Sequence, residues 1–355
     1  MPISVVVGGQ FGSEGKGKVA RWIANDRKAA AVVRVGGTNS GHTAIGENGR
    51  TWALRQLPAS ILAPNTVAIL PAGAIIDPEI FLHEVDALGL GPARVVVDPW
   101  ASVITEGDRA SERSSGIVGE IGSTGSGTGA ALVRRIARRA GTTLAGELDV
   151  LKPFVRNSAE LMRSMLNQNR WIVIEGSQGF GLSLLQGGYY PHATSRDTSA
   201  GTFVGEAGLS PIDVKDITLV LRAHPIRVAG NSGPLPHETT WAQIVKNAGL
   251  PEGYNELTTA TKKVRRVAEF DGELVRRAIE VNNPTRIILN HFDYVDPGVR
   301  KQEFSVKALS VLKTIEGAIG RQVDFVGTGP ASLVRREEIG NSGFHPTNKY
   351  FRHSD

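Results

Sequence analysis

The chain has 355 residues, 41% hydrophobic and 21% charged, with 40 Lys and Arg against 35 Asp and Glu. This is the composition of an ordinary globular protein, long enough for one large α/β domain or two smaller ones, and it excludes a disordered or fibrous chain. Cys is absent, which excludes a disulfide framework, and the apolar runs are strand-sized, well short of the roughly 18 residues that span a membrane.

Ile3–Val7 reads as a strand buried on both faces. It runs into Gly8-Gly9-Gln10-Phe11-Gly12-Ser13-Glu14-Gly15-Lys16-Gly17-Lys18, where glycines let backbone N–H groups approach an anion and two lysines add charge. The loop handles phosphate, yet Gln10 and Gly17 break the G-x-x-x-x-G-K-[ST] pattern at both ends. A second strand, Ala31–Val35, leads into Gly36-Gly37-Thr38-Asn39-Ser40-Gly41-His42-Thr43. Further strands are expected at Val67–Leu70, Arg94–Val97, Trp171–Ile174, Ile217–Leu221, Arg286–Leu289 and Val323–Val326. Helical patterns lie at Pro78–Leu88, Lys152–Asn167, Thr240–Asn247, Gly272–Val281 and Val306–Gly320. Such alternation predicts an α/β fold over 1–355, a single large domain whose mostly parallel central sheet has helices on both faces and ligands at the strands' carboxyl ends. Segments 102–150 and 227–270 read as loop-bearing insertions, and the polar stretch from Arg335 as loosely held. The N-terminus enters a strand at once, leaving no room for a signal peptide, so a cytoplasmic protein is expected. The positive charge is dispersed, which fits small anionic substrates, with no nucleic acid and no membrane partner.

The two glycine loops together resemble the adenylosuccinate synthetase family, whose pattern is G-D-E-G-K-G-K followed by G-G-x-N-A-G-H-T. The likeness continues in order through Gly122–Gly129, Glu175-Gly176-Ser177-Gln178-Gly179, Tyr190–Ser195, Thr258–Arg266 and Gly327-Thr328-Gly329-Pro330. It implies a ligase that joins L-aspartate to C6 of a purine nucleoside monophosphate, driven by a nucleoside triphosphate with Mg²⁺. The 6-oxygen is first phosphorylated, and the aspartate amine then displaces phosphate. A lactam oxygen leaves poorly, so such an enzyme needs a base near N1 and cations on the transferred phosphoryl group.

Carried over residue by residue, the resemblance makes His42 the partner of the phosphoryl group in transfer, with Lys16 and Lys18 neutralising phosphates. Gly41 supplies a carbonyl to Mg²⁺, and Gly12, Gly15, Gly17 and Thr43 complete the triphosphate loop. Asn39, Thr124 and Thr194 match the monophosphate's phosphate ligands, Gln178 the residue that bonds the base, and Arg138 an arginine that reaches across a homodimer interface. Thr259, Thr261, Lys263 and Arg265 match the aspartate loop, where Lys263 replaces the usual arginine. The triphosphate base falls to Asn290, Asp293, Gly327, Gly329 and Pro330. There Asn290-His291-Phe292-Asp293 stands in place of T-K-L-D, and Gly327 in place of a frequent serine, which opens ATP or dATP as donor beside GTP.

Position 13 departs most. The family's aspartate, base at N1 and Mg²⁺ ligand, is Ser13 here. A hydroxyl is a far weaker base and metal ligand, but it is shorter and accepts a hydrogen bond from an amino group at C2. The change resembles that in phage-type 2-aminoadenylosuccinate synthetases, which implies dGMP as substrate, a 2-amino-deoxyadenylosuccinate as product on the way to diaminopurine nucleotide, and a host-cytoplasm setting. Glu14, an ordered water or Ser13 relaying to phosphate are the open candidates for the N1 base. Ordinary synthesis from IMP, and a catalytically silent nucleotide-binding regulator, are the alternatives.

Overall fold

The computed structural model describes residues 2–138, 141–258 and 263–339. Among the described residues the main sheet has nine strands: β1 (Ile3–Gly8), β2 (Ala31–Arg34), β3 (Val67–Leu70), β4 (Val95–Val97), β5 (Ile172–Glu175), β6 (Val214–Arg222), β7 (Arg286–Asn290), β8 (Phe325–Gly327) and β9 (Leu333–Arg335). Their order is β9-β8-β7-β6-β1-β5-β2-β3-β4. All neighbours run parallel except β8 and β9. The eight runs read as strands from sequence all lie in this sheet. β9 was not among them, and it corrects the reading of the tail: Arg335 pairs with Phe325, Arg336 with Glu316, and Ile339 is buried in the core. The rest of that tail, 340–355, lies outside the described residues.

The register alternates side chains between two cores. Ile3, Val5 and Val7 join Val33, Ile174 and Leu219 on one face, while Val6 joins Val32, Val173 and Val220 on the other. Helices α1 (Lys16–Asp26) and α2 (Pro78–Ala87) cover the second face through Val19, Ile23, Phe81 and Val85. Segment 102–150 carries α3 (Glu106–Ser114), α4 (Ile117–Ile121) and α5 (Thr128–Ile136). The first face is covered by α6 (Ser158–Asn167), α7 (Ala200–Glu206), α9 (Gly272–Asn282) and α10 (Val306–Ile319), while α8 (Trp241–Ala248) belongs to segment 227–270. The helix expected over Lys152–Asn167 is divided, because Pro153 sits in a 3₁₀ turn (Asp149–Phe154) and α6 starts afresh behind Asn157, whose side chain accepts from Glu160 N. The second insertion adds a small antiparallel sheet of Ile226–Arg227, Glu238–Thr239 and Arg266–Ala268.

β1 is the switch point: from it the strand order departs in both directions, and the loop that leaves its carboxyl end opens into the crevice. Close packing at that end leaves no spare volume. A Cβ on Gly176, directly after β5, would lie 2.3 Å from the Phe203 ring and 2.6 Å from the Val6 carbonyl. Gly176→Ala is therefore expected to destabilise the fold by about 1–3 kcal/mol, seen as a lower denaturant midpoint at unchanged slope.

Candidate active site

The loop after β1 is assembled around one buried carboxylate. Glu14 Oε1 accepts from Gln10 N at 3.1 Å and Gly12 N at 2.8 Å, and Oε2 pairs with Lys16 Nζ at 2.6 Å. With both oxygens engaged inside its own loop, Glu14 is a brace, and it does not line the adjoining cavities. Gly12 and Gly15 take φ of 93° and 91°, values that glycine adopts without strain. Ser13 is left-handed too, at φ 57°. Arg222 holds it there by donating to its carbonyl at 3.1 Å.

His42 begins a hairpin, His42–Ile45 with Thr51–Leu54, that packs on α1. A Cβ on Gly17 would lie 3.0 Å from His42 Cβ, so a glycine is needed for that approach. The ring is buried, with Nδ1 2.6 Å from Glu175 Oε1. Glu175 ends β5 and also accepts from Arg34, from Ala59 N, and from the Ser60 N and Oγ. Burial pushes this carboxyl up, but the His42 bond and the Arg34 charge outweigh it and keep Glu175 ionised. Burial, and then Arg34, which also touches Nδ1, hold His42 neutral. Glu175 is an acceptor and pairs with an Nδ1–H, the tautomer in which Nε2 carries the lone pair, while the Arg34 donor crowds the same nitrogen.

Three adjoining cavities form one cleft. The first and second share Ser13, Lys16, Gly41, His42 and Arg265. The first and third share Asn39, Thr124 and Gln178, and Thr194 lines the third. Gly12 lines the first, and Gly15, Gly17 and Thr43 the second. Lys18, Asn290, Asp293, Gly327, Gly329 and Pro330 line none of the three. Lys18 donates to Asn290 Oδ1 at 3.0 Å and to the Gly329 carbonyl at 2.8 Å, and burial lowers its pKa to about 7. Asp293 is paired with Arg300 at 2.7 Å. Arg138 is exposed beyond α5, and Lys263 is exposed next to Val264, which bridges Leu257. Thr259 and Thr261 lie outside the described residues. Among the described residues the first cavity's lining contains Lys16, Arg55, Arg227 and Arg265 and no aspartate or glutamate.

A family model described as adenylosuccinate synthetase matches residues 5–146 and 142–299. The chain belongs to the adenylosuccinate synthetase family. The adenylosuccinate synthetases of Thermococcus sibiricus and Pyrococcus horikoshii are 35% and 33% identical to it over 342 residues, covering 93% of this chain and 96% of each relative. Among solved structures, the succinoaminodeoxyadenylate synthetase of cyanophage S-2L, bound to dGMP and to dATP as an energy donor, matches with a TM-score of 0.79 at 30% identity. That match covers 94% of this chain and 95% of the other. The fully ligated adenylosuccinate synthetase of Plasmodium falciparum reaches 0.81 at 18% identity over 95% and 100%, a likeness of fold alone. The chain is thus a carbon–nitrogen ligase of the adenylosuccinate synthetase type.

Several residues of this synthetase site carried no role in the sequence reading: Glu175, Arg34, Arg55, Arg222, Arg227 and Glu256. Arg227 lies under Phe11, 4.4 Å from the ring centroid, and donates to the His192 carbonyl at 3.0 Å. The available signal was position: Arg34, Glu175 and Arg222 are charged residues that close apolar strands. Replacing Glu175 by Gln leaves the Arg34 guanidinium buried without a counter-charge. Glu175→Gln is expected to cost about 3–5 kcal/mol of stability and, by releasing the His42 ring, about 100-fold in turnover. Denaturation and phosphate-release assays on the same preparation measure both.

Proposed function

We propose that the enzyme joins L-aspartate to dGMP, using ATP or dATP with Mg²⁺, and so makes a 2-amino-deoxyadenylosuccinate. The observation that carries this reading is a cationic first cavity that holds Ser13 and, among its described residues, no carboxylate. A carboxylate beside N1 would crowd a purine bearing an amino group at C2, whereas a serine hydroxyl accepts from that group. The dGMP and dATP bound to the cyanophage relative support the same reading. The 6-oxygen attacks the terminal phosphorus as the N1 proton leaves, and the nucleoside diphosphate departs with the bridging oxygen. The aspartate amine then attacks C6 and sheds its proton to solvent, and phosphate departs with the former 6-oxygen. Since Glu14 is consumed by its loop, the N1 proton passes to water or through the Ser13 hydroxyl to phosphate.

Ser13 and Gly41 border both the first and second cavities, where a hydroxyl and a carbonyl offer oxygen donors suited to Mg²⁺. With no carboxylate in that pair, the counter-charge comes from the phosphates, and the ion when bound neutralises them. Asn39, Thr124, Thr194 and Gln178 would seat the monophosphate. Arg138 of a second copy would reach its phosphate, and Arg265 with Lys263, Thr259 and Thr261 would take the amino acid.

The archaeal relatives, at 35% and 33% identity, are named ordinary adenylosuccinate synthetases, which favours IMP as the competing substrate. Phosphate release with Mg²⁺, aspartate and ATP, run with dGMP and with IMP and checked by product mass, separates the two. Preference for dGMP is expected, and preference for IMP overturns the proposal. Ser13→Asp is expected to move the dGMP-to-IMP ratio toward IMP by about tenfold or more, the scale of one overpacked contact (~1.5 kcal/mol).

A further inference from the structure

Arg222 closes β6 and is wholly buried. Its backbone N–H and carbonyl are both bonded to the Gln10 side chain, at 2.9 and 3.1 Å. Its guanidinium is divided between two loops. Nη1 donates to the Ser13 carbonyl at 3.1 Å, while Nη2 and Nη1 reach Glu256 Oε1 and Oε2 at 2.7 and 3.3 Å. Glu256 in turn accepts from Arg265 Nη1 at 3.5 Å and pairs its carbonyl with Arg265 N at 2.8 Å. Beside this pair Leu257 bridges Val264, and Thr258 N donates to the Lys263 carbonyl. Glu256 and Arg265 both line the second cavity, with Lys16, His42 and Ser13.

We propose that Glu256 is a positioning residue for the amino-acid substrate, holding Arg265 at a fixed distance from Ser13 through Arg222. Arg222 is wholly buried and lines none of the three cavities, so it presents no face to a substrate carboxylate. Among the described residues the Arg265 side chain is gripped through Nη1 alone, over a long contact, and its Nε is buried without a partner. Arg265 itself lines the first and second cavities. Glu256 therefore does two things with one charge. It neutralises Arg222, whose charge would otherwise be buried unpaired, and it orients Arg265, which planar, bidentate recognition requires. This rests on the ligase reading above.

The test is steady-state kinetics of the full-length enzyme with Glu256→Gln and Glu256→Asp. Glu256→Gln is expected to raise the aspartate KM about tenfold or more while the nucleotide KM stays within about threefold, with Glu256→Asp intermediate, as expected of loss of one charge-assisted contact. An aspartate KM within twofold of wild type overturns the inference, and so does a nucleotide KM that rises in the same proportion, which marks general loosening. Thermal melting checks folding; should Glu256→Gln melt below assay temperature, Glu256→Asp carries the same criterion. A wild-type enzyme without aspartate-dependent phosphate release overturns the ligase reading and this inference together. An active wild type with unmoved aspartate KM overturns this inference alone.

Discussion

Charges buried at the carboxyl ends of parallel strands organise this molecule. Arg34, Glu175 and Arg222 end β2, β5 and β6 and are all but removed from solvent. An ion in that position is tolerated only when paired and hydrogen-bonded. Each finds its partners in loops, so the sheet dictates loop conformation. Glu175 gathers Arg34, His42 and the Ala59–Ser60 turn. Arg222 gathers the Ser13 carbonyl and Glu256. Together they place the two glycine-rich loops against each other across β1.

Within the phosphate loop the same logic operates on a smaller scale. Glu14 is spent on Gln10, Gly12 and Lys16, so the carboxylate next to Ser13 in sequence is not its neighbour in function. The loop is held in shape before any phosphate arrives, which is how binding energy is kept for the reacting groups. His42 is held in the same way, neutral and gripped at Nδ1 by Glu175. A phosphate charge brought close to Nε2 would favour its protonation.

The sheet was legible because apolar, β-branched runs flanked by glycine loops have few alternatives to buried parallel strands. β9 was not legible: Leu333–Arg335 is only three residues long and runs straight into a charged stretch, and its place comes from pairing with β8. Residues of the cleft that sit in glycine-rich turns, such as Asn39, Thr124 and Gln178, could be read from motifs. Arg227, Arg55 and Glu256 could not, since each is defined by partners far away in the chain. Their roles are tertiary, and no spacing rule encodes them.

Gly327 and Asn290 illustrate what that means for how such a chain changes over time. A Cβ at 327 would lie 2.1 Å from Asn290 Oδ1 and 2.8 Å from Lys18 Nζ, while Asn290 also ties the Glu14 carbonyl at 2.8 Å. A serine at 327 would have to push aside the Asn290 amide and the Lys18 ammonium, and with them the tie to the Glu14 carbonyl. Positions 290 and 327 are thus coupled through packing, and a change at one alters what the other can hold.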